Sequence, residues 1–239
     1  MKTPITLLTV VTGLITSANA ATTFVISAQN NANTTTTVGS VSNNTIADDT
    51  DLSTNPTFTY TVTGLDIDGI GGNNDEVVIV LAVSGTTSAD PAYIVTNPSN
   101  GNWMGIGGAG DNSVDQGETF TFSLISASTT LNGTTAGTAI FDGFLGGSIG
   151  KSGTANGNFT VNGETFNMPN ATTDITLADQ SQSVYTIATV DSGAGGADNI
   201  RPFSWDFQIT ADTAAVPEPS STSLLSLAGL GLILRRRRA

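Results

Sequence analysis

Thr57-Phe58-Thr59-Tyr60-Thr61-Val62-Thr63 alternates polar and apolar residues at every position. In an extended chain successive side chains point to opposite faces, so Phe58, Tyr60 and Val62 share one face and the threonines the other. A helix would scatter the same residues around its circumference. The stretch predicts a half-buried β-strand, and β-branched threonine suits the outer face.

The same period recurs on the C-terminal side. Glu118 to Ile125 puts Phe120, Phe122 and Leu124 on one face, and Phe203 to Thr210 does so with Phe203, Trp205 and Phe207. Trp205 is therefore expected in the core. Val77 to Val83 is a continuous apolar run, which predicts a central strand buried on both faces. Asn162-Gly163 between Asn158–Val161 and Glu164–Phe166 marks a hairpin, because a type I′ turn needs positive φ at both central residues. Further strands are expected at Thr22–Ser27, Thr138–Phe144 and Ser183–Val190. Asn30 to Thr50, rich in Asn and Thr, reads as a surface loop or sheet edge. No segment of the body sustains a 3.6-residue period. Short strands punctuated every ten or so residues predict an all-β fold: a single jelly-roll-like β-sandwich spanning residues 21–210.

The chain has 239 residues, no cysteine and no histidine. Without them, Ser-His-Asp and Cys-His nucleophile systems and His-ligated metal sites are excluded. Between Ala21 and Ala215 nineteen acids face two bases, Lys151 and Arg201, a net of −17. Phosphate recognition needs Lys and Arg, so nucleic acid is not an expected partner of the body. The charge suits solubility or cations.

The other basic residues lie at the two ends. Met1 to Ala20 contains Lys2, the short apolar core Ile5 to Ile15, and Ala18-Asn19-Ala20. This is the pattern of a secretory signal peptide, residues 1–20, cleaved before Ala21. A linker at 211–215 leads to the last 24 residues, VPEPSSTSLLSLAGLGLILRRRRA at 216–239. Pro217 and Pro219 fix φ and lack a backbone N–H, so the motif at 216–220 is extended and accessible to a processing enzyme. The apolar segment at 221–234 is short for a membrane: Ser223–Leu234 as a helix spans about 18 Å, against a hydrocarbon core of ~30 Å. Arg235 to Arg238, in the basic tail at 235–239, hold that end in the cytoplasm.

These three parts, in this order, resemble the PEP-CTERM sorting domain of Gram-negative bacteria, with Val216, Pro217, Glu218 and Pro219 as the motif, a short hydrophobic helix, and Arg235, Arg236, Arg237 and Arg238 as the basic stop. The resemblance covers the tail alone. It implies export, transient tethering in the inner membrane, processing by an exosortase, and a final place at the cell surface or outside the cell. An ordinary C-terminal membrane anchor is the alternative. The body resembles, more loosely, uncharacterised β-rich proteins carrying this tail, through Gly64-Leu65-Asp66-Ile67-Asp68 and Asp115-Gln116-Gly117-Glu118.

Three glycine-rich runs end in side-chain oxygens: Gly69–Asp75, Gly105–Asn112 and Gly193–Asn199. Calcium takes six to eight hard oxygens, and glycines let backbone carbonyls turn inward. The candidate ligands are Asp66, Asp68, Asn73 and Asp75 in the first region, and Asp111, Asn112, Asp115 and Glu118 in the second. Neither matches a diagnostic spacing: Ile70 and Val77 occupy EF-hand positions that need oxygen. Asn, Asp and Gly are also ordinary turn residues.

The only catalytic option left is a carboxylate pair, and nothing in the sequence singles one out. The reading is a non-catalytic, exported domain of the surface or extracellular matrix, with exosortase and extracellular polysaccharide as partners and calcium as the candidate ion. The alternative is a calcium-stabilised carbohydrate-binding module using Trp103 or Tyr93 as a stacking platform.

Overall fold

In β5 (Thr57–Leu65) the alternation becomes burial: Phe58, Tyr60 and Val62 have no exposed surface, while the threonines from Thr57 to Thr63 lie partly or fully in solvent. The computed structural model describes residues 21–30, 33–68, 72–89, 91–97, 103–108, 113–131, 135–152, 158–167, 172–189 and 199–212. The other strands among them are β1 (Thr22–Ala28), β2 (Thr35–Thr36), β3 (Ser40–Asn43), β4 (Thr50–Asp51), β6 (Asp75–Thr86), β7 (Tyr93–Asn97), β8 (Trp103–Gly107), β9 (Thr119–Leu131), β10 (Thr135–Ser152), β11 (Asn158–Val161), β12 (Glu164–Asn167), β13 (Thr173–Thr176), β14 (Val184–Thr189) and β15 (Asn199–Asp212). The expected signal peptide and C-terminal hydrophobic helix lie outside the described residues. Among those described, no helix is long and apolar enough to cross a membrane.

The strands form two facing antiparallel layers, the all-β sandwich expected from the sequence. One layer runs β13–β10–β15–β1–β2 and the other β12–β11–β14–β9–β6–β5–β3. The first residues of β10 also pair with the end of β9, Gly137 opposite Thr129, so one strand belongs to both layers and the sheet is nearly closed. A small sheet, β4–β7–β8, packs at one end.

Aromatic rings fill the space between the layers. Trp205 of β15 stacks on Phe122 of β9 with centroids 4.1 Å apart, and lies 5.2 Å from Phe58. Phe207 meets Tyr60 edge-on at 5.5 Å, and Phe144 of β10 meets Tyr185 of β14 at 5.3 Å. Offset and edge-on pairs of this kind contribute about 0.5–1.5 kcal/mol each beyond their buried area. Trp205 is thus a core residue, as its alternation predicts.

Four local readings change. The run Val77–Val83 is central in its sheet, between β5 and β9, but only one of its faces is in the core: Val77, Ile79, Leu81 and Val83 are buried, whereas Val78, Val80 and Ala82 are half-exposed. A two-layer sandwich covers one face of each sheet, so a continuous apolar run does not guarantee burial on both. In β9 the register shifts opposite Val80 and Leu81, which sets Ile125 out of step and 56% exposed; beyond it the odd-numbered Thr129 and Leu131 point inward. Gly105 and Gly107, grouped above in a glycine-rich run with candidate calcium oxygens, belong to β8, where Ile106 occupies the space that a Cβ at Gly85 would need. Finally, β15 continues through Ala211, fully buried, to Asp212, past the expected domain end at 210.

Asn30–Thr50 is an edge held by side chains. Asn30 donates to the Ile46 carbonyl at 3.0 Å and accepts from the Ile46 N–H at 2.8 Å, mimicking a strand pair. The Asn162-Gly163 hairpin forms as read, with φ of 51° and 82°.

Candidate functional site

The turn between β5 and β6 brings together three of the residues singled out as calcium ligands. One carboxylate oxygen from each of Asp66, Asp68 and Asp75 lies within 4.8 Å of the others. Two oxygens on one calcium ion, each at 2.3–2.6 Å, are separated by at most ~5 Å, so the spacing fits a shared ion. Asp75 is nearly fully buried, Asp68 is largely buried and Asp66 is exposed. The turn is folded around Asp75, whose Oδ2 accepts from the Ile67 N–H at 2.6 Å and the Asp68 N–H at 3.3 Å. Asn73 is exposed on the same turn.

The second candidate group is used differently. Asp111 and Asn112 lie outside the described residues. Glu118 is buried, and both of its oxygens are engaged by the protein: Oε2 accepts from the Asp115 N–H at 2.9 Å and Oε1 from the Thr87 hydroxyl. The Asp115 carbonyl accepts from the Glu118 N–H at 3.0 Å and the Thr189 hydroxyl at 2.7 Å. These bonds tie the entry of β9 to the exit of β6 and to β14. Thr87 carries no sequence signal, and only the pairing of β6 with β9 brings it to Glu118. Beside them opens a polar cavity of about 460 Å³ lined by Thr87, Ser88, Asp115, Gln116 and Glu118.

The two candidate stacking residues sit on the β7–β8 hairpin, which the glycine-rich composition hides. Tyr93 pairs with Gly107 and Trp103 with Asn97, at opposite ends of the hairpin. Both are half-buried, and the Arg201 guanidinium lies 4.8 Å over the Trp103 ring. A cation over the ring is itself stabilising, by about 0.5–1 kcal/mol at exposed sites, and it occupies one stacking face.

Ala21 is exposed immediately before β1, where the expected cleavage would leave it. Ala18, Ala20, Val216, Pro217, Glu218, Pro219 and Arg235 to Arg238 lie outside the described residues. Ala18 and Ala20 remain expectations from the sequence, and the tail residues are the ones that sequence comparison bears on. Neither the curated proteins nor the solved structures include a match to this chain. A family model does match, over residues 215–238, and its description is the PEP-CTERM protein-sorting motif. The chain carries that sorting motif, which implies an exported protein, anchored in the membrane before an exosortase processes it and placed at the surface afterwards.

Proposed function

We propose that the chain is a non-catalytic β-domain of the cell surface or extracellular matrix, delivered by its sorting tail. The observation that supports this most is the sorting motif at residues 215–238, attached to a histidine- and cysteine-free sandwich. Two measurements test it. Mass spectrometry of protein released from the native host should find Ala21 at the start and no peptide joining Leu234 to the arginines. The purified body should turn over neither polysaccharides nor esters; a turnover abolished by changing one Asp or Glu to its amide would overturn the non-catalytic reading.

A second reading, a calcium-stabilised carbohydrate-binding module, is favoured by the convergence of Asp66, Asp68 and Asp75. Mass action sets the effect: at free calcium ~100 times the dissociation constant, stabilisation is about 2.7 kcal/mol. That is a rise in Tm of roughly 5–10 °C for a body of this size. Magnesium should do less, because it demands tight octahedral geometry and holds its water. Asp66→Asn with Asp68→Asn should abolish the rise, whereas Asp115→Asn with Glu118→Gln should leave it. A Tm unmoved by millimolar calcium after chelator treatment, at constant ionic strength, leaves the turn without an ion.

A further inference from the structure

Strand register puts the exit toward the sorting tail, the start of the body and the acidic turn at one end of the sandwich. Asp212, the last residue of β15, lies opposite Thr138, and Ala211 lies opposite Thr22. Antiparallel neighbours are about 4.5–5.5 Å apart, so the chain enters and leaves the body side by side. From Thr138, β10 runs back to Thr135 opposite Leu131, and Glu76 of β6 lies opposite Thr130. The turn carrying Asp66, Asp68 and Asp75 closes this same end.

The opposite end has other chemistry. Gly150 pairs with Arg201 and Lys151 with Ile200, so both bases of the body belong there. Trp103 lies under Arg201, and the polar cavity sits where β6 ends and β9 begins. Between Thr138 and Ser152 the long strand advances roughly 40 Å at a rise of ~3.3 Å per residue, bulges shortening it a little.

We infer that the tethered protein stands on the end formed by Thr22, Thr63, Thr130 and Asp212, with the cavity and the β7–β8 hairpin directed away from the membrane. This rests on the sorting reading of the tail. Nine residues lead from Asp212 to Ser221, where the apolar segment starts, a reach of about 31 Å even when fully extended. Turning the body over would lift Asp212 roughly 40 Å from the lipid, beyond that reach. Lying on its side is opposed by charge, because a body of net −17 would face anionic headgroups along its whole length. Standing on end exposes less of that charge to the surface. The near rim carries Asp66, Asp68, Asp75, Glu76 and Asp212, so repulsion acting within a Debye length of ~8 Å also keeps a gap open.

The chain has no cysteine, so a single introduced one reports its own position. In the chain from Ala21 to Ala239, Thr63→Cys and Thr130→Cys mark the near end, and Ser88→Cys and Gln116→Cys the far end; all four positions are exposed. Each variant is labelled with a fluorophore and reconstituted into phosphatidylethanolamine–phosphatidylglycerol vesicles carrying a headgroup quencher. Near-end labels should be quenched several-fold more than far-end labels. Inserting twenty Gly/Ser residues between Ala215 and Val216 should remove the difference. Equal quenching, stronger quenching at the far end, or a difference unchanged by the longer linker overturns the orientation while leaving the sorting reading intact. A chain that fails to float with the vesicles overturns both.

Discussion

Asp206 lies on β15 opposite Ser27 of β1 and Gly146 of β10. Burial pushes its carboxyl above the usual carboxylate range; a hydrogen bond with Ser27 opposes that shift and the charge of Asp174 adds to it. Its Oδ1 has no hydrogen-bond partner among the described residues. Burial raises the Tyr185 hydroxyl, and the charge of Asp206 adds to that shift. A carboxyl whose pKa is higher folded than unfolded contributes stability at low pH, and that stability is lost as pH rises through the folded value. Asp206→Asn should therefore raise Tm at pH 7 and leave it nearly unchanged at pH 3, in paired thermal melts. A second residue, Asn162, holds positive φ, donates to the Val184 carbonyl at 2.8 Å and accepts from the Thr186 N–H at 2.7 Å. Asn162→Ala loses two hydrogen bonds and a residue tolerant of this conformation, at a cost of about 2 kcal/mol. Thermal denaturation should show Tm lower by roughly 4–8 °C.

At the scale of elements, β10 is the piece that makes two sheets into one body. It leaves β9, bends, and then runs between β13 and β15, with register shifts at Phe141/Gly143, Phe144/Gly146 and Ser148/Ile149. Gly146 has φ of 155°, and a Cβ there would lie 2.0 Å from the Ile175 carbonyl oxygen. Because the obstacle is backbone, no rotamer change relieves it. Gly146→Ala should cost about 3 kcal/mol or more from strain and overpacking, with denaturant unfolding as the measure. Pro202 fits the same logic. It lies in a central strand, where a missing N–H is tolerated beside an irregularity, and the last register shift of β10 falls opposite it.

For the whole molecule, the decisive contact joins the two ends of the body. β15 sits between β10 and β1, so the last strand completes the first layer only after nearly the entire body has been made. The boundary at Asp212 can be tested by truncation. A chain ending after Asp212 should melt at the temperature of the full body. One ending after Gln208 loses Ile209 and Ala211, both fully buried, together with their ladder bonds. The loss should be about 4 kcal/mol, or roughly 8–16 °C in Tm.

The sequence by itself determined whatever depends on neighbouring residues. Period-two alternation settled β5, β9 up to Ile125, and β15 from Trp205 onward, because side-chain direction follows from backbone geometry; before Trp205 the phase differs, with Pro202 and Ser204 buried and Phe203 half-buried. The I′ hairpin was legible because only a few residue types tolerate two positive φ angles in succession. The sorting tail was legible as a linear motif. Absence of histidine and cysteine closed whole classes of chemistry before any fold was known. Tertiary structure decided what depends on partners distant in the chain. One covered face per sheet left Val78 and Val80 half-exposed; a bulge reversed the phase of β9; pairing with Tyr93–Asn97 made a strand of Trp103–Gly107. Asp66, Asp68 and Asp75 share one local turn and could be named together from the sequence. The Thr87–Glu118 contact could not, since 31 residues separate its partners and only the β6–β9 register brings them into reach. The same holds for the two ends of the sandwich: which residues face the tail exit and which face away follows from strand pairing, a long-range property that composition and periodicity do not encode.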